Sequence, residues 1–160
     1  MKVEGLRLLS RQLKLLLSSF LIVLTIGFLS GTRYLFYNST TNPTGIEEHY
    51  NGNEFSDDQE VMKFKKSEKE ILNIVHSHIL SMSLIFLAIG YFLTKTEISN
   101  PLKNFLIVEP FISIVLTFGG IYMLWLEISW FTYVIMISGT LLHICYFLAV
   151  FLIFKELYKK

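Results

Sequence analysis

The sequence predicts an all-α fold: a polytopic integral membrane protein with four antiparallel transmembrane helices in a small bundle and one extracytoplasmic loop. Of its 160 residues 52% are hydrophobic and the mean hydropathy is +0.52, which is more apolar than an ordinary soluble domain. The apolar residues are gathered in runs of roughly 20 residues, the length that spans a bilayer. Within these runs polar and apolar residues do not alternate, as they would in the strands of a membrane barrel.

Residues 1–160 are therefore predicted to form a single membrane domain. Its spans are expected at about 13–31, 74–94, 104–126 and 130–154, and its extracytoplasmic loop at about 32–67. The formal net charge is only +1, so the chain lacks the basic footprint of a nucleic-acid-binding protein. The expected partners are the lipid bilayer and other membrane protein subunits, or further copies of this chain.

The first predicted span follows a basic segment at the N-terminus. An apolar run covers residues 15–29, and a basic segment before such a run is also typical of a secretory signal peptide. The stretch GFLSGTRY at the end of the run has no good small-x-small cleavage site. We therefore expect the run to be retained as a signal anchor.

The polar loop after the first span ends at a helix start signal. Its stretches NSTTNPTG and SDDQE are rich in turn-forming residues, and we expect the loop to be partly ordered on the outer face. Ser67 and Glu70 fit a capping box, in which each side chain accepts a hydrogen bond from the other residue's backbone N–H. This pattern predicts that the second membrane helix begins at about Glu68, well outside the lipid.

Two further signals place the third and fourth spans. Ser99, Asn100 and Pro101 match an N-cap followed by proline in the first helical turn. Pro110, inside the third span, removes a backbone donor and should kink that helix. Only a very short turn near residues 127–129 joins the last two spans, so they must be antiparallel neighbours.

The distribution of Lys and Arg predicts the orientation. Cytoplasmic loops of membrane proteins are enriched in these residues, and nine of the 14 in this chain fall on one side of a four-span topology. These nine are Lys2, Arg7, Arg11, Lys14, Lys95, Lys103, Lys155, Lys159 and Lys160. Both termini are therefore expected in the cytoplasm, and the abundance of Lys, Ile, Phe and Asn suggests a bacterial cytoplasmic membrane.

Four titratable side chains inside or near the spans are the candidate functional residues, because such groups are costly in lipid and usually face the bundle. Glu109 falls in the inner half of the third span, and His143 lies near the middle of the fourth. His76 and His78 lie at the outer end of the second span. Their spacing points them about 200° apart around the helix, so only one of them can face the bundle.

One hypothesis is a b-type haem module. In four-helix bundles two imidazoles from facing helices can ligate one iron. His143 is the first candidate ligand, and His78 or His76 is the second. The difficulty is depth, since His143 and His78 differ by up to about 10 Å along the membrane normal before helix tilt is considered.

A second hypothesis is proton or ion transfer through Glu109 and His143, with His78 as a further step, as in the carboxylate and histidine relays of pumps. A metal site at His76 and His78 is disfavoured, because a helix does not present residues two apart to one ion. We therefore predict no metal site.

The favoured interpretation is structural. A neutral histidine in a span can hydrogen-bond across helices to a hydroxyl group or a carbonyl, and Glu109 can be protonated or paired with Lys103 or Lys95. Small residues such as Ser18 and Thr25 are then packing positions.

Signatures of soluble enzymes are missing from the sequence. It contains no Gly-rich phosphate loop, no nucleophile elbow and no zinc-protease motif, so we predict no catalytic residue. The function predicted from the sequence is that of an accessory or structural subunit of a larger membrane complex. The haem or proton-transfer module is the alternative.

Overall fold

The computed structural model describes residues 5–37, 41–54 and 61–159. A short 3-10 helix, Leu6–Leu8, precedes α1 (Arg11–Tyr37) and α2 (Pro43–Asn51). Three long helices follow: α3 (Glu68–Leu93), α4 (Asn100–Trp125) and α5 (Phe131–Leu157). In this part of the chain α1, α3, α4 and α5 are long and apolar enough to span a membrane, which confirms the predicted all-α fold with four spans.

The helix α3 begins where the capping box predicts. Ser67 Oγ accepts a hydrogen bond from the backbone N–H of Glu70, and Glu70 Oε2 accepts one from the backbone N–H of Ser67 at 2.8 Å. With 26 residues the helix is about 39 Å long. A helix of this length is longer than a hydrocarbon layer of about 30 Å is thick.

The helices α4 and α5 form the predicted antiparallel pair. α4 begins at Asn100, directly after the predicted N-cap Ser99, although the Ser99 side chain makes no capping hydrogen bond. The turn into α5 is short, and Glu127 adopts φ 67 within it, a left-handed conformation that is uncommon for a residue with a side chain. This tight reversal holds the two helices side by side.

Within the predicted outer loop the structure contains the helix α2, which the sequence analysis did not predict. The Asn42 side chain caps it by accepting a hydrogen bond from the Gly45 N–H at 2.7 Å, and Pro43 is compatible with the first turn. The chain leaves α2 through Gly52 at φ 79, where glycine avoids the strain of a side chain. The loop stretch SDDQE lies outside the described residues.

The α2 helix covers the outer end of the α4–α5 pair. Ile46 of α2 packs into a small apolar cluster. The other buried members of this cluster are Ile71, Ile121, Leu124 and Ile135. Asn51 Nδ2 donates to the carbonyl of Leu124 at 2.8 Å, and Ser129 Oγ donates to Glu47 Oε1 at 2.7 Å.

The main apolar core lies deeper in the bundle and draws on all four spanning helices. α4 packs extensively against both α5 and α3, whereas α1 has few backbone neighbours and rests mainly against α5. Buried members of this core include Leu17, Leu21, Phe86, Ile89, Leu106, Ile114, Leu142, Tyr146, Ala149 and Ile153.

The inner end of the bundle joins the N-terminal segment, the α3–α4 loop and the end of α5. The Leu6 N–H donates to the carbonyl of Lys95 at 3.3 Å. Glu97 in the loop pairs with Arg7 at 2.8 Å and with Lys159 at 3.1 Å. An even number of spans thus brings both ends of the described chain to one side, and the assignment of that side to the cytoplasm stays a prediction.

Candidate functional site

Glu109 lies at the seam between α4 and α5 and is 8% exposed. Its Oε1 accepts a hydrogen bond from Ser113 Oγ one turn along α4, and Cys145 of α5 lies near the same carboxyl group. Its other oxygen, Oε2, is buried without a hydrogen-bond partner. The Glu109 carboxyl is therefore only partly satisfied by the residues around it.

The backbone next to Glu109 is polar as well. Pro110 follows it inside α4 and has no N–H, so the buried carbonyl of Leu106 lacks its usual helical donor.

The sequence analysis offered Lys103 as an ion-pair partner for Glu109. In the structure Lys103 Nζ donates instead to the carbonyl of Thr96 at 2.7 Å.

The α4–α5 seam continues with hydroxyl groups and small residues toward the outer side. Thr117 and Ser138 hydrogen-bond across it at 2.7 Å. At Gly120 an added Cβ would lie 3.1 Å from Ile135 Cγ1, so a larger residue would require the Ile135 side chain to move. Small residues and cross-helix hydrogen bonds are the usual means of packing in lipid.

His143 faces α1, away from Glu109. Its Nδ1 donates to the carbonyl of Gly139 at 2.7 Å, and its Nε2 hydrogen-bonds Thr32 Oγ1 at 3.1 Å. The ring of Phe28 contacts the imidazole edge-on, with 5.2 Å between ring centroids. The Thr32 hydroxyl also donates to the carbonyl of Phe28 at 3.0 Å, so Thr32 connects the His143 ring to the backbone of α1.

The contact of His143 with Thr32 is one of a series along α1. Ser18, Thr25 and Thr32 are spaced by seven residues, and we call them the α1 hydroxyl stripe. Ser18 Oγ bonds the hydroxyl of Tyr158 at 2.8 Å, and Thr25 Oγ1 bonds that of Tyr146 at 3.0 Å. Residues seven apart stay within about 20° of each other around a helix, so one face of α1 makes all three bonds.

An aromatic stack reinforces the same face. The Phe28 and Tyr146 rings lie parallel, with centroids 3.8 Å apart and an interplanar angle of 2°. Tyr146 is fully buried. The sequence analysis assigned Ser18 and Thr25 to packing but missed the seven-residue spacing that joins them to Thr32. That spacing was the signal in the sequence from which the α1 hydroxyl stripe could have been predicted.

The other two candidate histidines, His76 and His78, lie on α3, and both are exposed. His78 Nδ1 bonds the carbonyl of Ile74 at 2.8 Å, and its ring stacks on Phe118 of α4 at 4.7 Å. His143 instead contacts Thr32 and Phe28 on α1. Within the described residues the structure therefore shows no contact between His143 and either His76 or His78.

These placements bear on the haem hypothesis. A haem ligated by His143 would need Nε2, which here bonds Thr32 beside the Phe28 ring, while Nδ1 donates to a backbone carbonyl as a metal-bound histidine commonly does. Ligation of haem by His143 would therefore require its hydrogen bond to Thr32 to break. Haem binding by His143 with His78 or His76 stays a prediction, as does the proton path joining Glu109 to His143.

The part of the chain that the structure describes contains no group of three His, Cys, Asp or Glu side chains placed to hold a metal ion. His49, on α2, lies beside Tyr50, with 4.9 Å between ring centroids. Burial, together with the charges of Lys66 and Lys63, lowers the pKa of His49 from 6.5 to about 4. The imidazole of His49 is therefore neutral near pH 7.

A second surface that the sequence analysis missed is the outward face of α1. Gly27 and Gly31 form a G-x-x-x-G pattern in an apolar helix, and both are exposed. A Cβ added at either position would have no atom within 4 Å. The pattern was readable in the sequence, since small residues four apart are typical of interfaces between membrane helices.

Comparison with known proteins yields one family match. No curated protein and no solved structure matches the chain. A family described as a transmembrane helical domain, Aq_1264_TM, matches residues 40–160. That region contains α2 to α5 and leaves α1 outside the match. With four spanning helices and a family match over well over half of its length, the chain is a small integral membrane protein that belongs to the Aq_1264_TM family.

Proposed function

We propose that this protein is an accessory or structural subunit of a larger membrane complex, and that α1 is the helix through which it binds its partner. The observation that supports this proposal is the open G-x-x-x-G face of α1. Such a face lets the backbone of a second membrane helix approach closely, which is a main source of helix association in lipid.

The geometry of α1 suits this role because its two faces are separate. The α1 hydroxyl stripe and Phe28 hold one face against α5. Gly27 and Gly31 lie about 140° around the helix from that stripe. A partner helix can therefore dock on Gly27 and Gly31 without displacing α1 from the bundle.

The packing of the other spans also favours a role carried by surfaces. Side chains of Leu106, Ile114 and Leu142 are buried between the spanning helices, and the α4–α5 seam is closed by hydrogen-bonded hydroxyl groups and a glycine contact. A bundle of this size offers little room for the repeated helix sets on which alternating access usually rests. The partner class is a transmembrane helix of another subunit or of a second copy.

The test is cross-linking in native membranes with the double substitution Gly27→Leu/Gly31→Leu. Because both positions are open, the added side chains leave the bundle intact while blocking close approach, and we expect the cross-linked partner to be lost. Ser19→Leu, on another exposed face of α1, is the matched control and should retain the partner. Equal cross-linking in the Leu/Leu variant and in the control would contradict the proposal.

A second candidate function, proton transfer, is favoured by the buried and unpartnered Oε2 of Glu109. Carboxyl groups inside membrane spans are costly, and they commonly mark the proton relays of pumps and transporters. Glu109→Gln keeps the shape of the side chain and removes the titrating group. If the protein moves protons in liposomes, this variant should abolish the flux, and an unchanged flux would reject Glu109.

The haem alternative has a separate readout. An absorption spectrum of the purified protein, oxidised and dithionite-reduced with haem supplied, would show a Soret band that shifts on reduction and disappears in His143→Ala. A colourless, folded protein would reject the alternative and leave His143 with its hydrogen bond to Thr32.

A further inference from the structure

A cavity of about 380 Å³ lies at the inner end of the bundle, between the start of α1 and the end of α5. Its lining residues are Leu9, Arg11, Lys14, Leu15 and Tyr158. Two of the five are cations and none is an acid. The cavity therefore combines positive charge with apolar walls.

The two cations of the cavity differ from Arg7 and Lys159 in having no acidic partner among the described residues. Arg7 and Lys159, at the same end of the bundle, both pair with Glu97. Arg11 and Lys14 have no ion pair within the part of the chain that the structure describes. Their charge is available to a ligand.

The position of the cavity indicates the kind of ligand. Lys14 directly precedes the apolar run of α1, and Leu15 is 67% exposed. A bilayer places its phosphate groups at this boundary and its acyl chains just beyond. Arg binds phosphate through paired N–H groups and Lys binds it as a point charge, and basic pockets between membrane helices bind anionic headgroups.

We propose that this cavity binds the headgroup of an anionic phospholipid, with Arg11 and Lys14 on the phosphate and Leu9 and Leu15 against the first part of the acyl chains. A lipid headgroup and a free phosphate ion would both offer a phosphate group to these cations. We propose that the phosphate is that of a membrane lipid. The site is separate from the Gly27 and Gly31 surface, so it does not depend on the proposed function.

The test is native mass spectrometry of the full chain in mild detergent, with equal amounts of phosphatidylglycerol and phosphatidylcholine that carry the same acyl chains. We expect adducts of phosphatidylglycerol to predominate. Each cation contributes about fivefold to the affinity for an anionic lipid, so Arg11→Gln and Lys14→Gln should each reduce the preference by about that factor, and the double variant should abolish it.

Two controls separate this site from general charge attraction. Lys155→Gln removes one charge from the same end of the bundle but not from the cavity, and it should retain the preference. Arg11→Lys keeps the charge, and this variant should retain most of the preference for phosphatidylglycerol. Equal adducts of the two lipids, or the same loss in Lys155→Gln as in the cavity variants, would overturn the proposal. Retention of inorganic phosphate without any lipid preference would also overturn it, in favour of a site for a free anion.

Discussion

The contact between α1 and α5 differs in kind from the contact between α4 and α5. α4 and α5 approach closely over their whole length through buried apolar side chains, Gly120 and the hydrogen bond between Thr117 and Ser138. α1 is held by hydroxyl groups at seven-residue intervals and by the stack of Phe28 on Tyr146. Most of its other side chains are exposed.

The difference shows how helix association works where lipid replaces water. Burying an apolar side chain against another helix gains little when the alternative is a lipid tail, so association depends on close packing and on polar contacts. The α4–α5 pair uses close packing, and α1 relies on a few polar and aromatic contacts. The family match follows the same division, because it begins at residue 40 and leaves α1 outside.

Among the variants that test this comparison, Gly120→Leu is expected to lower the stability of the protein most. The added side chain would meet Ile135 at the seam, and overpacking of this kind costs about 1–3 kcal/mol. Gly119→Leu is the control, because a Cβ there has no atom within 4 Å, and it should leave stability nearly unchanged. Unfolding by sodium dodecyl sulfate, followed by circular dichroism, measures both, and similar losses in the two variants would contradict the role of Gly120.

A smaller effect is expected from Phe28→Ala, which removes the stack on Tyr146. The loss should be about 1 kcal/mol, the typical contribution of an aromatic pair, and it should appear as faster hydrogen exchange in α1 with little change in α4. Phe20→Ala, which removes an exposed ring of the same helix, should not have this effect. Uniform loosening of all helices by Phe28→Ala would show that α1 is not a separate unit.

Thr25→Val tests a single bond of the α1 hydroxyl stripe. A cross-helix hydrogen bond in lipid contributes about 0.6 kcal/mol, and a double-mutant cycle with Tyr146→Phe should assign that coupling to this pair of residues. Ser30→Ala is the control, since Ser30 Oγ donates only to the carbonyl of Ile26 in its own helix. A coupling of zero between Thr25 and Tyr146 would mean that only the stack of Phe28 on Tyr146 holds this part of α1 against α5.

The most local effect concerns α2. Because the pKa of His49 is lowered to about 4 by burial and by Lys66 and Lys63, the unfolded segment binds a proton at higher pH than the folded one does. Stability of α2 should therefore fall as the pH drops from about 6.5 toward 4. Hydrogen exchange of α2 amides in wild type and His49→Gln measures this, and the same pH dependence in both would reject His49 as the cause.

Helix positions were predictable from the sequence because their signals are local. The capping box of Ser67 and Glu70 placed the start of α3 to the residue, and the short turn after α4 required an antiparallel pair. The α2 helix was missed because its start signal, Asn42 followed by Pro43, lies in a stretch that was interpreted as turn-forming. The helix is also held by contacts of Ile46 and Asn51 with the distant ends of α4 and α5. No local pattern reveals such contacts.

The sequence by itself determined that this protein has four membrane-spanning helices, because run length and composition decide whether a segment enters lipid. Only the tertiary structure decided which neighbouring helix the polar side chains face, with His143 toward Thr32 of α1 and Glu109 toward α5. The physical reason is that α4 and α5 are apolar on all sides. Where lipid and protein core are equally apolar, the hydropathy pattern does not distinguish the face that packs from the face that meets the membrane.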